Sequence, residues 1–206
     1  MRHVCLCAVL CALSAIAGNS KSIGSPDQSS RPILTIVLEF RGPHATRSVE
    51  EMEHEAETVL RDAGRAIEWR SWDEATQGVF DRIAVVRFSG DCGVPPWPHD
   101  SGADGPLGFT YVSNGAVLPF SQISCEKIAG SLGPAIPRME PSQAETVFGR
   151  AMGRVVAHEL IHMISGSAIH SHEGIARPAF SRNDLTCEKL DLSPTDLLRV
   201  TAKERR

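Results

Sequence analysis

The 206-residue sequence has no basic stripe, no internal repeat and no apolar run long enough to span a bilayer easily. Without a basic stripe there is no electrostatic footprint for nucleic acid, and no nucleic-acid partner is expected. Lysine and arginine together number 21 against 25 acids, a formal charge of −4. Without repeats, the length fits one domain with its own core. The apolar run nearest a membrane span is Val4 to Ile16, which is too short for one. Tyrosine occurs once, at Tyr111. What remains is ordinary globular composition, 42% apolar and 22% charged, so a packed core is expected rather than a disordered chain.

The first residues read as an export signal. Arg2 supplies a short positive start, Val4 to Ile16 is apolar, and Ala15-Ile16-Ala17 is an A-x-A cleavage site. Residues 1–17 are therefore expected to be a secretory signal peptide, cut after Ala17. Cleavage removes Arg2 and no acid, which takes the formal charge to −5. It also removes Cys5, Cys7 and Cys11 and leaves Cys92, Cys125 and Cys187. The mature protein is expected to be secreted or periplasmic, where a disulfide persists, with no stable membrane insertion. Three cysteines admit one intramolecular bridge at a time. Residues 18–32 are polar, rich in Ser and Gly and aperiodic, a disordered lead-in. The folded domain is expected over residues 33–206.

Ile33 to Leu38 is a nearly continuous apolar run of strand length, as in a strand buried on both faces. Ser48-Val49-Glu50-Glu51 reads as a capping box opening a helix whose stripe is Val49, Met52, Ala56, Val59, Leu60 and Ala63, closed by Gly64. Strands are expected over Ala66 to Trp72 and Phe80 to Phe88. Ser89 to Pro106 is a Gly/Pro-rich loop. Leu107 to Val112 and Ala116 to Ile123 flank Ser113-Asn114-Gly115, a hairpin signal. Gly130 to Pro141 leads into a long helix, with Ser142-Gln143-Ala144-Glu145 as its capping box. Ala144, Phe148, Ala151, Val155, His158 and His162 follow at steps of three or four, with Arg150 and Arg154 off that stripe. Gly166 is placed to end the helix in the left-handed conformation. Near the C-terminus, Ser181-Arg182-Asn183-Asp184 and Ser193-Pro194-Thr195-Asp196 start two short helices, the second docked by Leu197, Leu198 and Val200.

The long helix carries His158-Glu159-Leu160-Ile161-His162, an H-E-x-x-H motif. Positions four apart stack on one helical face, so both imidazoles can aim at one point. Zinc accepts such nitrogens at about 2.0–2.1 Å in tetrahedral geometry. Glu159 lies one step round the helix, close to the metal without having to ligate it, where a general base belongs.

Flanked by Val155, Val156, Met163 and Ile164, the motif resembles the signature of zincin metallopeptidases. The element order resembles the N-terminal subdomain of metzincin-like zincins. The resemblance implies an α+β fold: a mixed, mainly parallel sheet with an antiparallel hairpin, packed on a long active-site helix, with a short helical C-terminal part. It implies that Leu107 to Val112 is a rim strand that binds an extended peptide along its free edge; an ordinary hairpin strand is the alternative. The metzincin pattern H-E-x-x-H-x-x-G-x-x-H is not complete, because Ser165 stands at its Gly position and Ala168 at its last His. No methionine follows Met163 to make a Met-turn.

A catalytic zinc usually takes three protein ligands. His170 is the first choice for the third, since it lies past the turn at Gly166 with enough chain to fold back. Glu173 is the second, as in glutamate-type zincins, and His172 the third. The expected set is thus His158, His162 and His170 on Zn2+, with Glu159 as catalytic base. The expected activity is a zinc metallopeptidase: a zinc-activated water attacks the peptide bond of a peptide or protein substrate. Tyr111 and His172 are candidates for a second donor. A secreted zinc-binding or interaction module without turnover is the alternative function. A monomer is expected. If the strands ending near Phe88 and Ile123 are parallel neighbours, Cys92 and Cys125 follow adjacent strand ends and form the disulfide, leaving Cys187 free.

Overall fold

The computed structural model describes residues 33–61, 63–93 and 105–202. The expected signal peptide, residues 1–17, and the expected lead-in, residues 18–32, lie outside these residues. At the heart of the sheet is strand β1, Leu34–Phe40, whose first five residues are all buried. Ile36 and Val37 point to opposite faces, yet each is almost fully covered, as the unbroken apolar run requires. Helix α1 (Thr46–Arg61) carries the chain to β2 (Ile67–Ser71), parallel to β1. After the short helix α2 (Trp72–Ala75), β3 (Ile83–Ser89) pairs parallel on the other side of β1. Strands β4 (Gly108–Ser113) and β5 (Ala116–Ser124) form an antiparallel hairpin, and β5 joins β3 in parallel. The order is β2-β1-β3-β5-β4, which leaves β4 on an edge. The turn between β4 and β5 holds Asn114 and Gly115 both at positive φ, 49° and 77°, the requirement that makes Asn-Gly a hairpin signal. The α+β architecture is as expected from the sequence.

Helix α4, Pro141–Ser165, runs through the centre of the molecule, and every residue from Ala151 to His162 is buried. Its closest neighbour is α1. Gly149 and Gly153 let the two backbones approach, because a Cβ at either would stand 2.6 Å from the Ser48 or Met52 carbonyl oxygen. A short helix α3 (Cys125–Leu132), a 3-10 turn (Gly133–Arg138), and helices α5 (Arg182–Thr186) and α6 (Pro194–Ala202) complete the described fold. No helix among the described residues is long and apolar enough to cross a membrane.

Several local readings change. Ser48 is no cap: α1 opens two residues earlier, and the buried Ser48 hydroxyl donates to the Glu145 carbonyl of α4 at 3.2 Å. Likewise α4 opens at Pro141, whose fixed φ suits the first helical position, with Glu140 before it and no side-chain cap. Part of the connection leading to α4 is helical, since Ser124 caps α3 by accepting from the Lys127 N–H at 3.4 Å. Leu198 faces solvent at 70% exposure, while Val200 is fully buried and Leu197 packs partly.

Arg154 departs most from what its place on the helix suggests. It lies off the apolar stripe but is fully buried, because α1 and the C-terminal segment close over that side of α4. Its Nε donates to Glu55 Oε1, its Nη1 to the Asp184 carbonyl and its Nη2 to the Cys187 carbonyl, each at 2.7 Å. Burial of the charge is met by hydrogen bonds on every side.

The parallel pairing of β3 with β5 ends at Ser89 opposite Ser124. Cys92 and Cys125 follow those ends and form a disulfide with Cα atoms 5.1 Å apart. Cys187 is free, as the strand order implied.

Candidate metal centre

His158 and His162 stand one turn apart near the C-terminal end of α4, each 7% exposed. Gly166 ends the helix at φ 63°, and the chain turns back. This return places His170 over the same point. The His162 Nε2 atom is 3.1 Å from that of His158 and 3.2 Å from that of His170. Ligand atoms of the three residues all lie within 4.8 Å of one another.

Which ring nitrogen faces the cluster is fixed from behind. His158 Nδ1 donates to the Ile175 carbonyl at 2.8 Å, and His162 Nδ1 donates to the Ser167 carbonyl at 2.7 Å. With their protons on Nδ1, both residues present a bare Nε2 lone pair inward. Burial, more than the neighbouring imidazoles, lowers the pKa of His158 to about 4, so it is neutral at physiological pH. His170, exposed at the mouth, is also lowered, first by partial burial and then by His162. Lone pairs facing one another this closely call for a cation between them. A tetrahedral ion with bonds of 2.0–2.1 Å needs ligand atoms about 3.3 Å apart. The two His162 spacings are close to that value, and imidazole nitrogens are ligands that zinc and similar divalent metals accept.

Glu159 and the three histidines line one cleft of about 540 Å³. Edge strand β4 forms one side of the cleft, and residues 177–180 form the other. Gly108 and Thr110, two apart on β4, share the face turned to α4. The Thr110 hydroxyl donates to Glu159 Oε2 at 2.6 Å. A Cβ at Gly108 would stand 2.7 Å from Ile123 Cδ1, 3.0 Å from Val155 Cγ1 and 3.1 Å from Glu159 Oε1, so any larger residue there has to push these side chains aside. Burial raises the Glu159 carboxyl to a pKa of about 7, and the Thr110 hydrogen bond offsets only part of that. Phe180 meets the His158 ring edge-on at a centroid distance of 5.5 Å.

The structure thus brings His158, Glu159, His162 and His170 to one cleft. Glu173 and His172 are exposed and stand outside the histidine cluster. Tyr111 lies on the opposite face of β4, where its hydroxyl donates to Gln122 at 3.4 Å, and it does not line the cleft. Sequence reasoning missed Thr110, Gly108 and the Ser167 and Ile175 carbonyls. Only the alternation of β4 hinted at the first two, and the carbonyls leave no side-chain signal at all.

No family model matches this sequence, and no curated protein resembles it in sequence. Among solved structures, the crystal structure of archaemetzincin from Methanopyrus kandleri is similar in fold, with a TM-score of 0.54. The two are 12% identical over 88% of this chain and 100% of that one. A five-stranded, mostly parallel sheet on a long central helix, matched over that whole neighbour, is a zincin-like fold.

Proposed function

We propose that this chain is an exported zinc-dependent peptidase, with His158, His162 and His170 as metal ligands and Glu159 as general base. The observation that carries the reading is the convergence of three Nε2 atoms beside a buried carboxylate on a cleft wall. Zinc bound at such a site polarises a carbonyl and lowers the pKa of water. The chain's own residues supply the rest. Thr110 holds Glu159 Oε2, so Oε1, beside Gly108, is the atom left to take a proton from the attacking water. A carboxyl with a pKa near 7 both accepts that proton and returns it to the leaving amine nitrogen. The edge of β4 offers backbone groups along which an extended peptide lies as an added strand. Leu107, Val155 and Phe180 line the cleft and keep water from the reacting bond. The disulfide suits an oxidising compartment, and a monomer acting on peptide or protein, not nucleic acid, is the working form.

The test is zinc content and peptide hydrolysis in the mature, oxidised protein. About one zinc per chain is expected, lost in His170→Ala and kept in His172→Ala. Glu159→Gln is expected to keep the metal and lose hydrolysis by about 10²–10⁴-fold. Full hydrolysis by Glu159→Gln would remove the mechanism. A parent with zinc and no hydrolysis of any peptide library would leave the zinc-binding module.

A further inference from the structure

Asp196, 1% exposed, is a buried carboxylate outside the histidine cluster and the cleft lining. It lies in the first turn of α6, and its two oxygens serve different ends. Oδ2 accepts from the Ser193 hydroxyl at 2.6 Å, while that hydroxyl accepts from the Asp196 N–H at 3.2 Å, which closes the start of the helix. Oδ1 reaches away from the cap and accepts from the Ser171 hydroxyl at 2.5 Å. Arg199 Nη1 donates to both Ser171 Oγ and Asp196 Oδ1 at 3.3 Å and supplies the countercharge.

Ser171 directly follows His170 in the chain. Its N–H donates to the Ala176 carbonyl at 2.8 Å, which folds residues 171–176 into one closed turn. The Ile175 N–H within that turn donates to the Asp191 carbonyl at 3.0 Å, and the Ile175 carbonyl receives His158 Nδ1. One turn therefore adjoins His170 at one end and holds the orienting carbonyl of His158 near the other. The Ser171 hydroxyl ties this turn to α6, donating to Asp196 Oδ1 and accepting from Arg199 Nη1, and the bond to the buried Asp196 is the shorter of the two.

We propose that Asp196, acting through Ser171, is a positioning residue for the metal centre. It fixes where His170 Nε2 stands relative to His158 and His162. The inference rests on the zinc reading above. Physically, His170 is exposed and sits on a segment without regular secondary structure, so its ring has to be ordered for binding. Ordering it beforehand removes that cost from metal association. Partners behind a ligand shell typically set metal affinity by about 10- to 100-fold.

Three variants of the mature, oxidised protein test this, with zinc affinity read by chelator competition and thermal stability read without zinc. Ser171→Ala cuts the tie and leaves the Ser193–Asp196 cap intact. It is expected to weaken zinc by about 10- to 100-fold with little change in Tm. Ser171→Thr keeps the hydroxyl and is expected to restore the affinity. Ser193→Ala breaks the cap and is expected to lower Tm while zinc binds as in the parent. Parent-like zinc affinity in Ser171→Ala overturns the inference and leaves the peptidase reading standing. So does equal weakening by Ser193→Ala, because that makes α6 stability the cause. A parent that binds no zinc overturns both.

Discussion

Replacing Arg154 by methionine keeps the length and apolar stem of the side chain and removes its charge. In the parent the guanidinium is wholly buried and ties together three segments: Glu55 of α1, α4 itself, and the Asp184 and Cys187 carbonyls of the C-terminal part. Glu55 keeps only 12% of its side chain exposed. Removing one partner of such a pair leaves a desolvated charge and costs about 3–5 kcal/mol. Each carbonyl left without its donor adds about 1 kcal/mol, less where water reaches it, as at the partly exposed Cys187. These losses overlap, so about 4–5 kcal/mol is the expected total. In a domain of this size about 1 kcal/mol moves Tm by 2–4 °C, and the expected fall is roughly 10–15 °C. The assay is thermal unfolding with the disulfide intact, run beside Glu55→Gln and the double variant. The double variant should cost less than the sum of the singles, because the stranded carboxylate is gone. Hydrogen exchange should also quicken around residues 182–187, since their tie to α4 is cut. A loss below about 1 kcal/mol with unchanged exchange there would show that Arg154 is not holding the C-terminal part.

Two further outcomes follow from side chains in plain view. Burial, more than its neighbours Glu57 and Glu50, raises Glu53 on α1 to a pKa of about 7. The folded state thus favours the protonated form, so its stabilising contribution is complete below about pH 4.5 and is lost as pH rises through about 7. Glu53→Gln should raise stability at pH 8 by about 1 kcal/mol, the full linkage being discounted because the group is half-exposed and screened. At pH 4 it should change nothing, and equal gains in melts at both pH values would refute the assignment. Thr110→Val removes the hydroxyl on Glu159 Oε2 while keeping the shape of the strand. It should lower kcat about tenfold with zinc retained and KM little changed, and Thr110→Ser should recover most of the rate; a loss confined to KM would place Thr110 in substrate binding instead.

What the sequence made legible was what repeats at a fixed period or obeys strict backbone rules. The four-residue step from His158 to His162 set both rings on one face before any contact was known. Asn114-Gly115 and Gly166 were readable because positive φ costs other residues more. The Cys92–Cys125 bridge followed from strand order. Tertiary encounters were not legible. Arg154 carries a charge, and a charge on a helix ordinarily faces water; only α1 and the C-terminal segment together bury it. Ser48 and Glu51 have cap spacing, but Ser48 is drawn into the contact with α4 instead. Helix α3 was hidden because Gly130 and the prolines that follow read as loop. Thr110 sits 49 residues from Glu159 in the chain, and no periodicity spans that gap.

The disulfide joins residues 33 apart, and the β4–β5 hairpin lies entirely within that span. Mechanically the hairpin is a cantilever. Its root is clamped where β5 runs into Cys125, and its tip is the Asn114-Gly115 turn. Deflection of a clamped beam grows steeply with distance from the clamp. Gly108 pairs with Ile123 and Thr110 with Ser121, so both sit close to the root, where movement is least. A load at the tip can therefore bend the outer strand while the oxygen atoms of Glu159 hold still.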